Sequence, residues 1–373
     1  MDNPKISVLI PMYNRKHYIA QCVDSVLNNT FQDFEIIIRD DGSTDGSYDF
    51  VAEKYAKEIS TGKIKLIPNP ENWGELKTTH QLFKDSCGKY VIILHSDDLY
   101  IQQSLESLYT TAEKFNADVV HSIQFLNSGK DGVINENTKL QLVRPEIQFI
   151  NEAQVMPNDP AWRFQEYINA SGFYGDTQYS FFNRNFIMSN DLLFDGFCSG
   201  SKSTKPFLLA WLMLAKVYVK TPVVHYIRRD APDAGTNTKE LNLKNVEDFI
   251  DQMMECTRYL EKYVIPNIKF LNDNKDFVRY YINAKTYNVM GNFLIKTRNF
   301  YKNGVTPELN RVVENTFKKY FGEDAYYPAF LFHWTHSVPY YNPNIEKLVY
   351  PTPPLQKWRN GALYQHCGLN LAA

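Results

Sequence analysis

The sequence predicts an α/β fold, a mostly parallel sheet flanked by helices, followed by a mainly helical C-terminal region. Three observations carry that expectation. Between Ile6 and Phe125 short apolar runs alternate with longer amphipathic ones, the pattern of a parallel sheet covered by helices. Several of the apolar runs stop in clusters of Asp, Ser, Gly and His, as strand ends do where loops take over. Beyond about residue 238 helical spacing takes over.

In order, Ile6–Ile10 reads as a buried strand stopped by Pro11, and His17–Leu27 as a helix with Tyr18, Ile19, Cys22, Val23, Val26 and Leu27 on one stripe. Phe34–Ile38 is a second strand. It runs into Arg39–Asp45, whose acidic, Gly and hydroxyl residues break the strand and cap a helix over 46–59. Ile64–Ile67 is a third strand, 75–86 a helix, and Tyr90–Leu94 a fourth strand ending at His95-Ser96-Asp97-Asp98. A helix over 104–115 and a strand over 118–125 follow, then a turn-rich excursion from Asn127 to Gly132. Short strands at 179–182 and 217–219 bracket an apolar helix at 206–214, and helical spacing marks 246–264 and 276–298. The domain boundary falls near residue 238, giving a domain over 1–238 and a C-terminal region over 239–373.

The 373 residues exceed what one core usually organises, and 44% hydrophobic with 22% charged residues excludes a disordered or low-complexity chain. A formal charge of −2 gives no bulk field for nucleic acid, so no nucleic-acid partner is expected. Five scattered cysteines without a CxxC pair fit a cytoplasmic protein, and no apolar run approaches the ~18 residues of a membrane span. Association with the inner face of a membrane stays open. His333 and His336 have metal-compatible spacing but no carboxylate or thiol nearby, so no zinc site is read there.

In an open parallel sheet, ligands sit outside the carboxyl ends of the strands. There, Pro11-Met12-Tyr13-Asn14-Arg15 offers an aromatic face and a cation, and Asp40-Asp41 offers carboxylates that accept hydrogen bonds from base N–H groups or ribose hydroxyls. Asp97-Asp98 supplies hard oxygen ligands for Mg2+ or Mn2+, which binds through one or two carboxylates and bridges to phosphates. A metal-held nucleoside diphosphate follows. Each acidic pair also has a plain reading as a turn or helix cap.

The ordered set Ser7–Asn14, Asp40–Asp45 and Ser96–Asp98 resembles the family 2 glycosyltransferases of the GT-A fold, a Rossmann-like architecture, over roughly the first two-thirds of the chain. The resemblance implies an inverting transferase using a nucleoside-diphosphate sugar, UDP foremost, and a glycan, lipid-linked or protein acceptor in surface polysaccharide, lipopolysaccharide or glycoprotein assembly. It places Pro11, Tyr13 and Arg15 on the nucleoside side, Asp41 near the base, Asp97 and Asp98 in the DXD-type position that contacts ribose and metal, with Asp98 as the metal ligand, and Lys77 at the pyrophosphate, while Arg228 or Arg229, the latter foremost, is expected on phosphate oxygens. The family's acidic pair, which supplies the base, is replaced here by Ser199–Pro206, leaving Asp176 and Asp195 as candidate bases. The His that often follows the family's Tyr-Arg is also missing after Tyr226–Arg229. Acceptor binding or homodimerisation is expected of 239–373. A catalytically silent domain that binds nucleotide-sugar or a partner protein is the alternative.

Overall fold

The structure is a computed structural model and describes residues 3–129, 135, 138–143, 150–169, 176–192, 205–230 and 242–279, with isolated positions at 282, 308, 311, 312 and 315. The chain clusters into two units, 1–239 with 255–279, and 240–254 with 280–373.

The first unit is built on β1 (Ile6–Met12), β2 (Phe34–Asp40), β3 (Ile64–Pro68) and β4 (Tyr90–Ile93). β1 and β2 are buried along their whole length, which is why both read as unbroken apolar runs rather than alternating ones. β1 pairs in parallel with β2 on one side and with β4 on the other, and β2 pairs in parallel with β3. The chain therefore walks outward from β1 to β3 and then jumps back across β1 to β4. That reversal opens a crevice between the carboxyl ends of β1 and β4, where α/β sheets bind ligands. The β1–β4 register ends at Leu9–Ile93, so Pro11 has no β4 neighbour and its missing N–H costs nothing.

The remaining strands are β5 (Leu99–Tyr100), β6 (Val119–Ser122), β7 (Gln124–Asn127), β8 (Lys139–Leu142), β9 (Gln154–Val155), β10 (Ser180–Asn183), β11 (Tyr218–Thr221) and β12 (Tyr226–Arg228). The large sheet runs β3-β2-β1-β4-β10-β6-β11-β9, and a second sheet runs β5-β12-β7-β8. The large sheet is mixed, because β10 lies antiparallel between β4 and β6 and β9 antiparallel on β11. The predicted strand over 118–125 splits at Ile123 into β6 and β7, which feed different sheets.

Helices α1 (Ile19–Leu27), α2 (Ser47–Lys54), α3 (Ala56–Ser60), α4 (Glu75–Asp85), α5 (Ser104–Phe115), α6 (Pro160–Asn169), α7 (Arg184–Ser189) and α8 (Lys205–Leu214) complete the frame. The helix expected over 46–59 breaks at Tyr55, whose hydroxyl is drawn to Asp24 Oδ1 (2.7 Å) and the Ala20 carbonyl (3.0 Å). α1 buries Ile19, Cys22, Val23 and Val26 against Val8, Ile10, Ile36 and Ile38 in one core with Leu105 and Leu108 of α5. α9 (Leu243–Tyr259) continues into a π-helical turn at Leu260–Val264, and α10 (Lys269–Asp273) follows. In the second unit, Val246, Ile250, Met253 and Met254 form the buried stripe of α9.

The amino end of the sheet, opposite the crevice, is closed by polar contacts. The Ser7 hydroxyl donates to Glu35 (2.6 Å), Gly88 N–H donates to Ser7 Oγ (2.8 Å), and Lys65 pairs with Glu35 (2.7 Å). A Cβ on Gly88 would lie 2.6 Å from Ser7 N and 2.7 Å from Ile6 C, both backbone atoms that cannot swing aside. Gly88→Ala should destabilise the fold by about 1–3 kcal/mol, read as a lowered urea midpoint at unchanged m-value.

His225 is fully buried between β11 and β12, with Nε2 3.3 Å from the Gln178 carbonyl and Nδ1 2.7 Å from Ser122 Oγ. A carbonyl only accepts, so Nε2 carries the proton and Nδ1 accepts from Ser122. Burial pushes the imidazole pKa down to about 4. The unfolded chain therefore binds the proton first. Stability is whole above about pH 6.5 and falls as pH drops towards 4, by about 3 kcal/mol from this residue. Denaturation of wild type and His225→Gln across pH 7 to 4 checks it, the variant losing that share of the slope.

Candidate functional site

The crevice between β1 and β4 is lined from both sides by strand ends. After β1, Asn14 turns the chain with φ 52°, and the turn is pinned to the β2–α2 loop: Asn14 N–H donates to Ser43 Oγ (2.8 Å), Arg15 N–H to Ser47 Oγ (2.8 Å), and Thr44 N–H to Asn14 Oδ1 (2.8 Å). The loop after β2 thus holds the loop after β1. Asp40 caps that loop, accepting from Ser43 N–H (3.1 Å) and its hydroxyl (2.5 Å).

Asp41 faces the other way. Oδ1 accepts from Asn69 Nδ2 (2.8 Å), Trp73 N–H (2.7 Å) and Thr78 Oγ1 (2.8 Å), and Oδ2 from Gly74 N–H (2.9 Å). This one buried carboxylate fastens the segment between β3 and α4. Asn69 extends the link by accepting from Arg39 (2.8 Å), which also pairs with Asp85. Gly74, with φ 83°, supplies the left-handed turn from which α4 starts.

After β4, Asp97 and Asp98 part company. Asp98 is buried, its side chain 7% exposed, with Oδ2 accepting from the Tyr226 hydroxyl (2.6 Å) and Oδ1 from Arg229 N–H (2.8 Å). Burial and the neighbouring Asp97 charge raise its pKa to about 6. Asp97 is 16% exposed and lies 3.6 Å from Arg15 Nε. Asp98, expected as the metal ligand, thus has both oxygens engaged by protein donors, and Asp97 is the more open carboxylate.

His95 Nε2 lies 3.3 Å from Glu75 Oε1, and Nδ1 3.9 Å from Asp98 Oδ2. Burial alone would lower the His95 pKa, but the hydrogen bond to Glu75 and the charges of Glu75, Asp98 and Asp97 outweigh it and hold it at about 9. Arg229 is 4% exposed, its guanidinium 5.1 Å from the Tyr18 ring, and its Nε and Nη2 have no hydrogen-bond partner among the described residues. A buried guanidinium in that state is a receptor for an anion.

Of the expected residues, the structure gathers Pro11, Tyr13, Arg15, Asp41, Asp97, Asp98 and Arg229 at this edge, with Tyr13 exposed. Lys77 instead stands over the Trp73 ring, 4.4 Å from its centroid, so its ammonium is engaged within its own helix entrance. Asp176 opens the 3-10 turn Asp176–Tyr179, and its side chain lies outside the described residues. Because β10 runs antiparallel to β4, with Phe181 opposite Ile92, that turn precedes β10 at the carboxyl end of β4. Asp195, His333 and His336 lie outside the described residues. Glu75, Asn69 and Thr78 join the edge without a sequence signal that singles them out, and Tyr226, noted only as the Tyr of the Tyr-Arg segment, joins it through Asp98.

As to a metal, no group of three or more His, Cys, Asp or Glu side chains placed to hold a metal ion is found among the described residues. The more exposed carboxylate, Asp97, fits a hard divalent cation that takes its remaining ligands from phosphate and water, and the Arg229 Nε and Nη2 fit the phosphate oxygens.

Residues 7–172 match the family model described as Glycosyl transferase family 2. This segment is a family 2 glycosyltransferase domain. The glycosyltransferase GlyG of Streptococcus pneumoniae is 31% identical over 127 residues, 34% of this chain and 41% of that protein. The Escherichia coli UDP-Glc:alpha-D-GlcNAc-diphosphoundecaprenol beta-1,3-glucosyltransferase WfgD is 29% identical over 138 residues, 37% of this chain and 50% of that protein. The chain spans half or less of the length of these curated relatives. Among solved structures, S. aureus TarS 1-349 superposes with a TM-score of 0.52 at 18% identity, covering 85% of this chain and 80% of that one. Its complex with UDP-GlcNAc gives 0.51 at 17% identity, covering 85% and 89%. The family 2 domain here therefore has the GT-A fold. Among the described residues no helix is long and apolar enough to cross a membrane.

Proposed function

We propose that this protein is an inverting, metal-dependent glycosyltransferase that moves a sugar from a nucleoside diphosphate, UDP foremost, to a hydroxyl acceptor in surface polysaccharide, lipopolysaccharide or glycoprotein assembly. The observation that carries the reading is the presence, at one sheet edge, of Asp97, the more exposed carboxylate of its pair, and the buried Arg229 guanidinium, whose Nε and Nη2 have no hydrogen-bond partner among the described residues. The relatives' printed activities and the UDP-GlcNAc complex of TarS support the donor class.

In this reading Pro11, Tyr13 and the Asp41-held loop receive the nucleoside, and Arg229, with Arg15 beside Asp97, faces the diphosphate. Asp97 would hold Mg2+ or Mn2+, and a bound cation there supplies charge to offset the departing diphosphate. Asp98 fixes β12 against the β4 end through Tyr226 and the Arg229 main chain, setting where the Arg229 guanidinium stands. A carboxylate takes the acceptor proton as the new C–O bond forms at the anomeric carbon and the bond to the diphosphate oxygen breaks. Asp176 and Asp195 are the candidates, and Asp176 is favoured because its turn leads into the strand beside β4. Acceptor binding or self-association is assigned to residues 239–373, and the protein to the cytoplasmic side, at the membrane surface where the acceptor is lipid-linked.

Incubation of the full chain with a panel of UDP- and GDP-sugars, with Mg2+ or Mn2+, should release nucleoside diphosphate from at least one donor. The basic stretch Ser199–Pro206, standing where the resemblance leads one to expect an acidic pair, favours a silent nucleotide-sugar-binding domain as the second reading. Nucleotide binding without turnover across the panel and a range of glycan acceptors would select it.

A further inference from the structure

The Glu75–His95 pair has no role in the reading above. Glu75 is the first residue of α4, and an acid there suits the helix N-terminus. Helix capping does not explain why its Oε1 reaches 3.3 Å from His95 Nε2 while the side chain stays 66% exposed.

Its place along the edge is informative. Gly74, its neighbour, donates to Asp41 Oδ2 (2.9 Å), and His95 lies two residues before Asp97. Glu75 and His95 thus bridge the Asp41-held loop to the Asp97 rim. A nucleoside diphosphate laid between these two ends, base towards Asp41 and diphosphate towards Asp97, presents its pentose to the pair. A carboxylate steadied by an imidazole accepts hydrogen bonds from two adjacent hydroxyls, the chemistry that dinucleotide-binding folds use on a ribose 2′-hydroxyl.

We propose that Glu75, held by His95, reads the ribose hydroxyls of the donor nucleotide. This rests on the donor reading above and adds to it a specificity residue on α4. The strand end itself offers an imidazole, and the carboxylate arrives from the adjacent helix. Both hydroxyls are kept or lost together with Glu75, so the pair discriminates ribose from deoxyribose.

Equilibrium binding of UDP, GDP and their 2′-deoxy and 3′-deoxy forms to the full chain, with Mg2+ present, tests it. Wild type should bind at least one ribonucleotide about 10-fold or more tighter than its deoxy forms, a modest share of what a site built around a hydroxyl can reject. Glu75→Ala, at an exposed helical position that tolerates Ala, should shrink that ratio to within about 3-fold by weakening the ribonucleotide more than the deoxy forms, each of which keeps one hydroxyl. An unchanged ratio in Glu75→Ala overturns the proposal, as does a wild type that binds ribo and deoxy forms alike. No binding of either ribonucleotide overturns the donor reading, and this inference with it.

Discussion

Replacing Asp97 by Asn should cut turnover of the donor by about 100- to 1000-fold while leaving the denaturation midpoint almost unmoved, because the side chain is open and its one close ion pair, with Arg15 at 3.6 Å, is loose. Asp98→Asn should behave in the reverse order. Its amide group would have to meet either the Tyr226 hydroxyl or the Arg229 N–H, both donors to the native carboxylate, so one buried donor loses its acceptor. That costs about 1–3 kcal/mol of stability, and activity falls because β12 and Arg229 shift with it. Nucleoside-diphosphate release from the best donor, measured beside urea denaturation for both variants, separates the two roles. Equal losses of stability in the two would contradict the division.

Asp41→Ala should be the most destabilising single change at the site, by about 3–5 kcal/mol. Four donors converge on this carboxylate: the Asn69 amide, the Thr78 hydroxyl and the N–H groups of Trp73 and Gly74. Asn69 and Thr78 are buried, so water reaches them poorly once the acceptor is gone. The loop that carries Glu75 would loosen at the same time, so nucleotide affinity should fall with stability. Asp41→Asn keeps one acceptor oxygen and should lie between. Urea denaturation orders the three proteins, and an Asp41→Ala midpoint equal to wild type would show that the network contributes nothing.

The sheet and its polar carboxyl edge were legible because β1, β2 and β4 are buried on both faces and stop in polar residues, and burial of this kind leaves local marks in sequence. The family match over 7–172 and the GT-A superposition bear out the fold and the resemblance. Less of the interior of the site could be read. Tyr226 meets Asp98 across 128 positions of chain, and β10 slips between β4 and β6 from a segment whose short apolar run says nothing of direction. Nothing in the sequence around Glu75, the first residue of α4, points to His95 twenty positions on. The contact of Lys77 with Trp73, four residues earlier, is another feature the sequence does not single out, since a cation near a phosphate edge is also attracted by an aromatic ring. The antiparallel strands β9 and β10 within the mostly parallel large sheet are likewise set by pairing partners far away in sequence.

The central claim is that Asp97 and a bound diphosphate jointly hold a divalent cation at this edge. Electron paramagnetic resonance of free Mn2+, titrated with the full chain in the presence and absence of UDP, measures that directly and needs no acceptor. The account predicts that Mn2+ is taken up by wild type only when UDP is present, and that Asp97→Asn loses this uptake. Uptake by Asp97→Asn equal to wild type would contradict it.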